Sequence, residues 1–317
     1  MNTVAVTGSH GFIGSILRKM LTEQGLEVLA CDINLDHSLW TKYAKSVYHG
    51  SFDDDAYVDQ IVRSNVSTIL HLAATSTVGP DAEDPMTYYW NNTARTINFL
   101  KKLIDRKWKG HIIFASTAAV YRLNGFLEPK KETYFADPAS NYGRSKLQCE
   151  RMLDYCSLYG INVTSFRFFN VAGAYDEFGE EHQDTHLISR ICVSAINNSP
   201  VTVYGDDYPT PDGTCIRDYV HVLDICRAQC FAAQNKIYGT YNLGSKQGTS
   251  VFEMIDMFNK QTGCSVTYET GQRRPGDVPY LVAEPTKFTL HGFTYKYNIE
   301  DIISSSWKHF KRIHYGI

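Results

Sequence analysis

Short runs of apolar and β-branched residues alternate with longer helical patterns through the first half of the chain. The runs are Thr3–Thr7, Glu27–Cys31, Val47–Tyr48, Thr68–Leu72, His111–Ala115 and Val163–Phe168. Between them lie stretches with helical spacing at Ile13–Gln24, Ala56–Ser64, Pro85–Lys107 and Ser145–Tyr159. Strands that are apolar nearly throughout, separated by helices, predict a parallel sheet covered on both faces. The predicted fold class is therefore α/β, with a doubly wound parallel sheet of Rossmann type. Beyond Asn170 the alternation loosens, and Pro, Gly and Asp accumulate between Tyr204 and Gly213. That change predicts a smaller C-terminal lobe of loops, short strands and helices. No low-complexity linker separates the two parts, so they are expected to be tightly joined.

Composition narrows the function classes. Hydrophobic residues make up 43% and charged residues 21% of 317, which excludes wholesale disorder. A formal net charge of −3 lacks the basic excess of a nucleic-acid binder. No apolar run approaches the roughly 20 residues needed to span a bilayer. The N-terminus opens on a strand-like run with no basic or apolar leader, so a soluble, cytoplasmic protein is expected. The eight cysteines contain no C-x-x-C pair. Cys226 and Cys230 are four apart on a predicted helix, a spacing open to two metal ligands on one face. Small buried residues in a reducing compartment are the favoured reading, and no metal is expected.

Candidate chemistry begins at Gly8-Ser9-His10-Gly11-Phe12-Ile13-Gly14, a G-x-x-G-x-x-G turn between the first strand and first helix. Such glycines allow a tight turn, let backbone approach a pyrophosphate, and bring helix and strand together. The helix N-terminal amides then face the anion. Asp32 lies 18 residues past Gly14 at the end of the second strand, placed to bind ribose hydroxyls and repel a 2′-phosphate, which favours NAD over NADP. Leu72, Ala73 and Ala74 end another strand with small side chains that leave room for a ligand.

Tyr142-Gly143-Arg144-Ser145-Lys146 places Tyr and Lys at i, i+4 on one helix face. A nearby ammonium favours the phenolate, so Tyr142 is a candidate general base near neutral pH. Thr117, at the end of the strand about 25 residues upstream, offers a hydroxyl to a substrate alcohol or its ketone.

With these motifs in order, the chain resembles the extended short-chain dehydrogenase/reductases, and among them the UDP-glucose 4-epimerases. The most specific matches are Tyr204–Thr214, continuing through Arg217-Asp218-Tyr219-Val220-His221-Val222. Asn141–Lys146, Arg167–Asn170, Tyr241–Gly244 and Arg273–Asp277 support them, and the resemblance runs from Val4 to about Lys287. It implies an NAD-binding domain over residues 1–168 and a UDP-sugar-binding lobe over 169–317, with a return of the chain to the first domain around 216–245. It implies a cofactor site of Gly8, Gly11, Phe12, Ile13, Gly14, Asp32, Asn34, Ser51, Phe52, Leu72, Ala73, Ala74, Asn91, Ser116, Tyr142, Lys146 and Phe168. On the substrate, Thr117 and Tyr142 would meet the sugar O4, Asn170, His186 and Leu187 would follow the UDP-sugar, and Thr202, Val203 and Tyr204 would hold uracil. Arg217 and Arg274 would hold the diphosphate, Asp277 the uridine ribose, and Leu281 would line the hexose pocket. The implied assembly is a homodimer through a four-helix bundle of the helices at Pro85–Lys107 and Ser145–Tyr159.

The chain also departs from that pattern. Ser51 stands where an acid is usual and Ser76 where a cation is usual, which implies looser NAD binding. Thr117 replaces a Ser, Phe168 a Tyr, and Arg122 a Gly. Ala118 and Ala119 occupy the positions where related 4,6-dehydratases carry an acid–base pair, so dehydration is disfavoured, as is decarboxylation. Two alternatives stay open: epimerisation of UDP-GlcNAc/UDP-GalNAc or another nucleotide sugar, and a non-catalytic NAD-binding sensor or scaffold.

Overall fold

The computed structural model describes residues 3–34, 42–76, 84–121, 127–180, 186–274 and 276–316. In its first part the elements are β1 (Thr3–Thr7), α1 (Phe12–Glu23), β2 (Glu27–Asp32), β3 (Ser46–His49), α2 (Asp55–Arg63) and β4 (Thr68–His71). There follow α3 (Pro85–Tyr88), a π-helical stretch Tyr89–Ala94, α4 (Arg95–Asp105), β5 (His111–Thr117), α5 (Asn141–Asp154) and β6 (Asn162–Phe168). The remainder holds β7 (Asn170–Ala172), β8 (Ala174–Tyr175), β9 (Phe178–Gly179), α6 (Leu187–Asn197), β10 (Val201–Tyr204), β11 (Ile216–His221) and α7 (Val222–Asn235). The chain ends through β12 (Gly239–Leu243), β13 (Gly248–Ser250), α8 (Val251–Thr262), β14 (Tyr268–Gly271), β15 (Tyr280–Leu281), α9 (Thr286–Thr289) and α10 (Ile299–Tyr315).

Seven strands form one parallel sheet in the order β12-β6-β5-β4-β1-β2-β3. Successive side chains point to opposite faces, and both faces are apolar. Val4, Val6 and Phe166 pack under α1 and α7, whereas Ala5, Ile112 and Phe114 pack under α2, α4 and α5. Strand order reverses between β1 and β4, and ligands of such sheets bind at the carboxyl ends beside that switch point. β12 comes from late in the sequence and closes the sheet beside β6, with Leu243 opposite Phe168.

The second part has its own core of α6, α8 and α10 around Ile191, Val203, Phe258 and Phe310. β11 organises it, pairing with β7 and β15 in parallel and with β13 antiparallel.

Two helices differ from their predicted limits. The helix predicted from Ser145 begins at Asn141, because the Ser140 hydroxyl caps it by accepting from the Gly143 N–H at 3.1 Å, and its last turn, Tyr155–Tyr159, is 3-10. The segment predicted as one helix over Pro85–Lys107 ends at Asp105 and contains the π stretch. Among the described residues no helix is long and apolar enough to cross a membrane.

Candidate active site

The turn after β1 and the end of β4 are in backbone contact. Gly8 has φ +66°, and a Cβ there would come within 2.7 Å of the Ala73 nitrogen. A Cβ on Gly14 would overlap the Gly8 carbonyl, so α1 can approach β1 only with glycine at this position. Gly11 is different, since its Cβ would meet nothing closer than 3.5 Å. Its open side, next to the first turn of α1, is the space a pyrophosphate needs, and no acidic side chain lies in that turn. Phe12 and Ile13, half-buried, begin the helix. Asp32 accepts from the backbone N–H of His10 at 2.9 Å and of Asn34 at 3.1 Å, which fixes its carboxylate beside the turn. These residues fit a dinucleotide.

Further along the crevice, Leu72 and Ala73 donate their N–H groups to the Thr7 carbonyl and hydroxyl, and Ala74 is half-buried. Asn91 donates to the Thr75 hydroxyl at 3.0 Å. Ser51 accepts from Arg95 at 2.7 Å and donates to Asp53. The Phe52 ring is in the core, edge-on to His71 and Phe99, and Phe168 is buried under α1 and α7.

Thr117, Tyr142 and Lys146 come together where α5 crosses the end of β5. A Cβ on Gly143 would overlap the Ala119 carbonyl, so the glycine between Tyr142 and Lys146 lets the helix start against the turn after β5. The Tyr142 phenol pairs with the Thr117 hydroxyl. Burial pushes Tyr142 up to about 12, and the Thr117 bond only partly offsets this. Lys146 is buried and donates to the Ala115 carbonyl at 2.8 Å, with its ammonium 4.7 Å from the centre of the Phe114 ring. Burial lowers it to about 8, against the opposing pull of Cys149 and Glu150. Tyr142 is thus raised, not lowered as its spacing from Lys146 led one to expect. Desolvation dominates at the phenol, and the Lys146 ammonium is directed at the Ala115 carbonyl. Ser116, next in the strand, is buried with its hydroxyl on Glu150.

In the second part, Arg217 donates to the Val278 carbonyl at 2.7 Å and reaches Asp277 at 3.4 Å, while Arg274 donates to the other oxygen of Asp277 at 3.0 Å. One carboxylate thus serves two guanidiniums. Leu281 lies opposite Arg217 in the β11–β15 pairing. Tyr204 has Arg274 at 4.7 Å and Arg190 at 5.0 Å from its ring centre. Thr202 donates to Glu269 at 3.2 Å. The Val203 side chain is in the core of this part, leaving only its backbone for a ligand. Asn170 pairs with Tyr219, His186 pairs with Glu180, and Leu187 opens α6.

Residues 4–244 match the NAD dependent epimerase/dehydratase family. The chain belongs to that family. It is 35% identical to the UDP-glucose 4-epimerase of Halalkalibacterium halodurans, covering 99% of this chain and 97% of the relative. The structure of UDP-glucose 4-epimerase from Brucella ovis in complex with NAD matches with a TM-score of 0.90 at 36% identity over 98% of both chains. The enzyme from Stenotrophomonas maltophila, with bound NAD and formylated UDP-arabinopyranose, matches at 0.92 and 30% identity over 100% of both.

Against this epimerase/dehydratase background, Ser76 is exposed, and Arg122 lies outside the described residues. Cys226 and Cys230 are packed in the core under α1. Among the described residues no group of three or more His, Cys, Asp or Glu is arranged to hold a metal. Three residues at the site escaped the sequence reading. Arg190 donates to the Thr202 carbonyl at 2.9 Å, and its signal is that it is the lone charge in α6. Glu150 repeats the Tyr142–Lys146 spacing once more along α5. Arg95 faces Ser51 across α4, and nothing in the sequence alone marks it.

The buried lysine has a stability consequence. Its pKa of about 8 lies below the ordinary 10.5, so the folded protein sheds this proton first. The cost of burying the charge is full below pH 8 and is relieved as pH rises from 8 to 10.5. Lys146→Met is expected to stabilise the fold at pH 7 by on the order of 3 kcal/mol, less the lost bond to Ala115, and to remove that rise. Urea unfolding midpoints of both proteins between pH 7 and 10.5 check this.

Proposed function

We propose that the protein is an NAD-dependent isomerase that interconverts UDP-glucose and UDP-galactose by inverting C4 through a transient 4-keto sugar. The observation that carries this reading is the Thr117–Tyr142 hydroxyl pair beside the dinucleotide cradle, followed by Ala118 and Ala119, which cannot transfer protons. One proton-transferring pair suffices for reversible oxidation of an alcohol, whereas dehydration needs a second.

Tyr142 takes the proton of the sugar 4-hydroxyl, and Thr117 holds O4 during that transfer. When bound, NAD would supply reversible hydride exchange with C4. Lys146 would hold the nicotinamide ribose. Asp32 holds the adenosine ribose diol and disfavours NADP, because its carboxylate is fixed by two backbone donors and would repel a 2′-phosphate. Arg217 and Arg274 share one carboxylate, leaving net positive charge for the diphosphate, whose oxygens suit the planar fork. Residues 1–168 form the NAD-binding domain, rejoined by the chain around 216–245, and 169–317 the UDP-sugar lobe. Eight free cysteines suit the cytoplasm.

Purified protein is expected to convert UDP-galactose to UDP-glucose without added reductant. Tyr142→Phe is expected to bind UDP normally and to turn over at least about 100-fold more slowly. Full activity in that variant removes Tyr142 from the mechanism, and no wild-type turnover of any UDP-sugar leaves the sensor reading.

Substrate size is set at Leu281. Leucine has no hydroxyl for the sugar and limits the space for an acetamido group, and overfilled pockets cost about 1–3 kcal/mol. The ratio of kcat/KM for UDP-galactose over UDP-GalNAc is expected to fall in Leu281→Ala and rise in Leu281→Tyr. A constant ratio means that Leu281 is not the gate, and a wild-type preference for the N-acetylated pair favours that alternative.

The assembly is a homodimer through a four-helix bundle. Met86 (66% exposed), Trp90 (63%) and Ile97 project from the α3–α4 segment, and Met152, Tyr155 (63%) and Leu158 (77%) from α5 and its 3-10 extension. Apolar side chains gathered on two neighbouring helices suit an interface. Sedimentation is expected at twice the chain mass, and at the monomer mass for Trp90→Glu.

A further inference from the structure

Tyr142, Lys146 and Glu150 lie at i, i+4 and i+8 on α5, and each meets the end of β5. Tyr142 pairs with the Thr117 hydroxyl, Lys146 donates to the Ala115 carbonyl at 2.8 Å, and Glu150 accepts from the Ser116 hydroxyl. Three consecutive strand residues are thus held by three successive turns of one helix.

Glu150 is buried, and its other partner is the buried Arg167 on β6. The guanidinium is bidentate, with Nη2 at 2.7 Å from Oε2 and Nε at 3.0 Å from Oε1. Ser116 and Arg167 are direct neighbours across β5 and β6, and Asn242 is the neighbour of Arg167 across β12. Arg167 donates to the Tyr121 hydroxyl at 3.1 Å, and Tyr121 donates to Asn242 at 2.6 Å. A buried polar row therefore crosses three strands at the carboxyl edge of the sheet and ends on the catalytic helix.

We propose that Glu150 is a positioning residue that, with Arg167, holds α5 in register with the end of β5 so that Thr117, Tyr142 and Lys146 keep their spacing, and that it supplies the fixed negative charge one turn below Lys146. This rests on the epimerase reading of the same site.

The charges around the pair define what Glu150 contributes. On α5 the neighbours are Lys146, the Cys149 thiol, held neutral by burial, and Asp154, whose carboxyl is raised by its own burial and by Glu150. From β4, His71 is kept neutral at about 3 by burial and by Lys146. Tyr121 is pushed up to about 12 by burial, although Arg167 opposes this. Burial also works against the charge of Arg167, and the Glu150 bonds more than restore it. Glu132 is turned to the Asn242 backbone at 2.8 Å. Glu150 is hydrogen-bonded to the buried Arg167 and acts on the buried Lys146 through charge alone. A buried pair can be replaced by uncharged groups with little loss of stability, whereas removing one partner strands the other. Register and charge can therefore be tested apart from folding.

In Glu150→Gln the amide oxygen can still accept from Ser116 and from Arg167 Nε, while the charge and the acceptor for Arg167 Nη2 are lost. The expected result is a kcat reduced about tenfold with KM for UDP-galactose nearly unchanged. The alkaline limb of kcat and of NAD affinity, which reports Lys146, is expected to move down by about one pH unit. The double variant Glu150→Gln with Arg167→Gln leaves no stranded charge and provides the same readings if the single variant fails to fold. Its kcat is also expected to fall, with the alkaline limb again shifted. Wild-type kcat and an unmoved limb in either folded variant overturn the proposal, including when only the melting temperature has dropped. Wild-type turnover of UDP-galactose tests the epimerase reading by itself. The limb in NAD titrations tests Glu150 without turnover.

Discussion

Backbone meets backbone at the carboxyl edge of the sheet, and the site depends on that approach. Gly8 lies against Ala73, Gly14 against Gly8, and Gly143 against Ala119, each too close for a Cβ. The first two contacts set the height of the β1–α1 turn over β4, which is the floor of the crevice. The third sets where α5 begins relative to β5. Tyr142 is one residue before Gly143 and Lys146 three after it, so a shift of the helix start displaces both. A displacement of about 1 Å can cost roughly 100-fold in rate. The glycines therefore act on the chemistry through distance.

Burial then decides which groups carry charge before a ligand arrives. Lys146 and Tyr142 are both pushed toward their neutral forms, to about 8 and about 12. His71 accepts or donates at the Thr7 hydroxyl (2.7 Å) and the Thr96 hydroxyl (3.1 Å), and burial keeps it neutral. It fills the space beneath the crevice without setting a second cation against Lys146. Burial thus favours the phenol over the phenolate at Tyr142.

Much of this was legible from the chain alone. The alternation of apolar strands and helices predicted the parallel sheet, and strand limits fell within about two residues of those observed. The glycine turn, Asp32, Thr117 and the Tyr-x-x-x-Lys pair carry their chemistry in local spacing. What stayed hidden depends on tertiary contact. The start of α5 was missed because Asn141–Arg144 is polar and glycine-containing, and the Ser140 cap reveals itself only once the helix exists. The π stretch in Tyr89–Ala94 shifts the helical phase without a marker in the sequence. Arg167 reads as the one charged residue of its strand until Glu150, 17 residues earlier, is placed beside it. The spacing of Tyr142 and Lys146 shows that they share a helix face and not how far water is excluded, and it is burial that raises Tyr142.

β11 explains why the substrate-side residues are part of the same rigid body as the cofactor crevice. Arg217 projects toward Asp277, the next residue is Asp218, and Tyr219–His221 pair with β7 directly after the end of β6. His221 then caps α7, which packs on α1 under the sheet. Asp218 is fully buried and accepts from the Ser245 N–H and hydroxyl, the Lys246 N–H and the Ala283 N–H. Burial raises it to about 6, so at neutral pH it remains ionised and all four donors are satisfied. Pulling the second lobe away from the sheet would break bonds to this carboxylate, each worth a net of about 1.5–3 kcal/mol with a charged acceptor. Side-chain adjustment is therefore cheaper than rotation of the lobe. A ketose that must present both faces to the same hydride acceptor has to turn within walls that stay fixed.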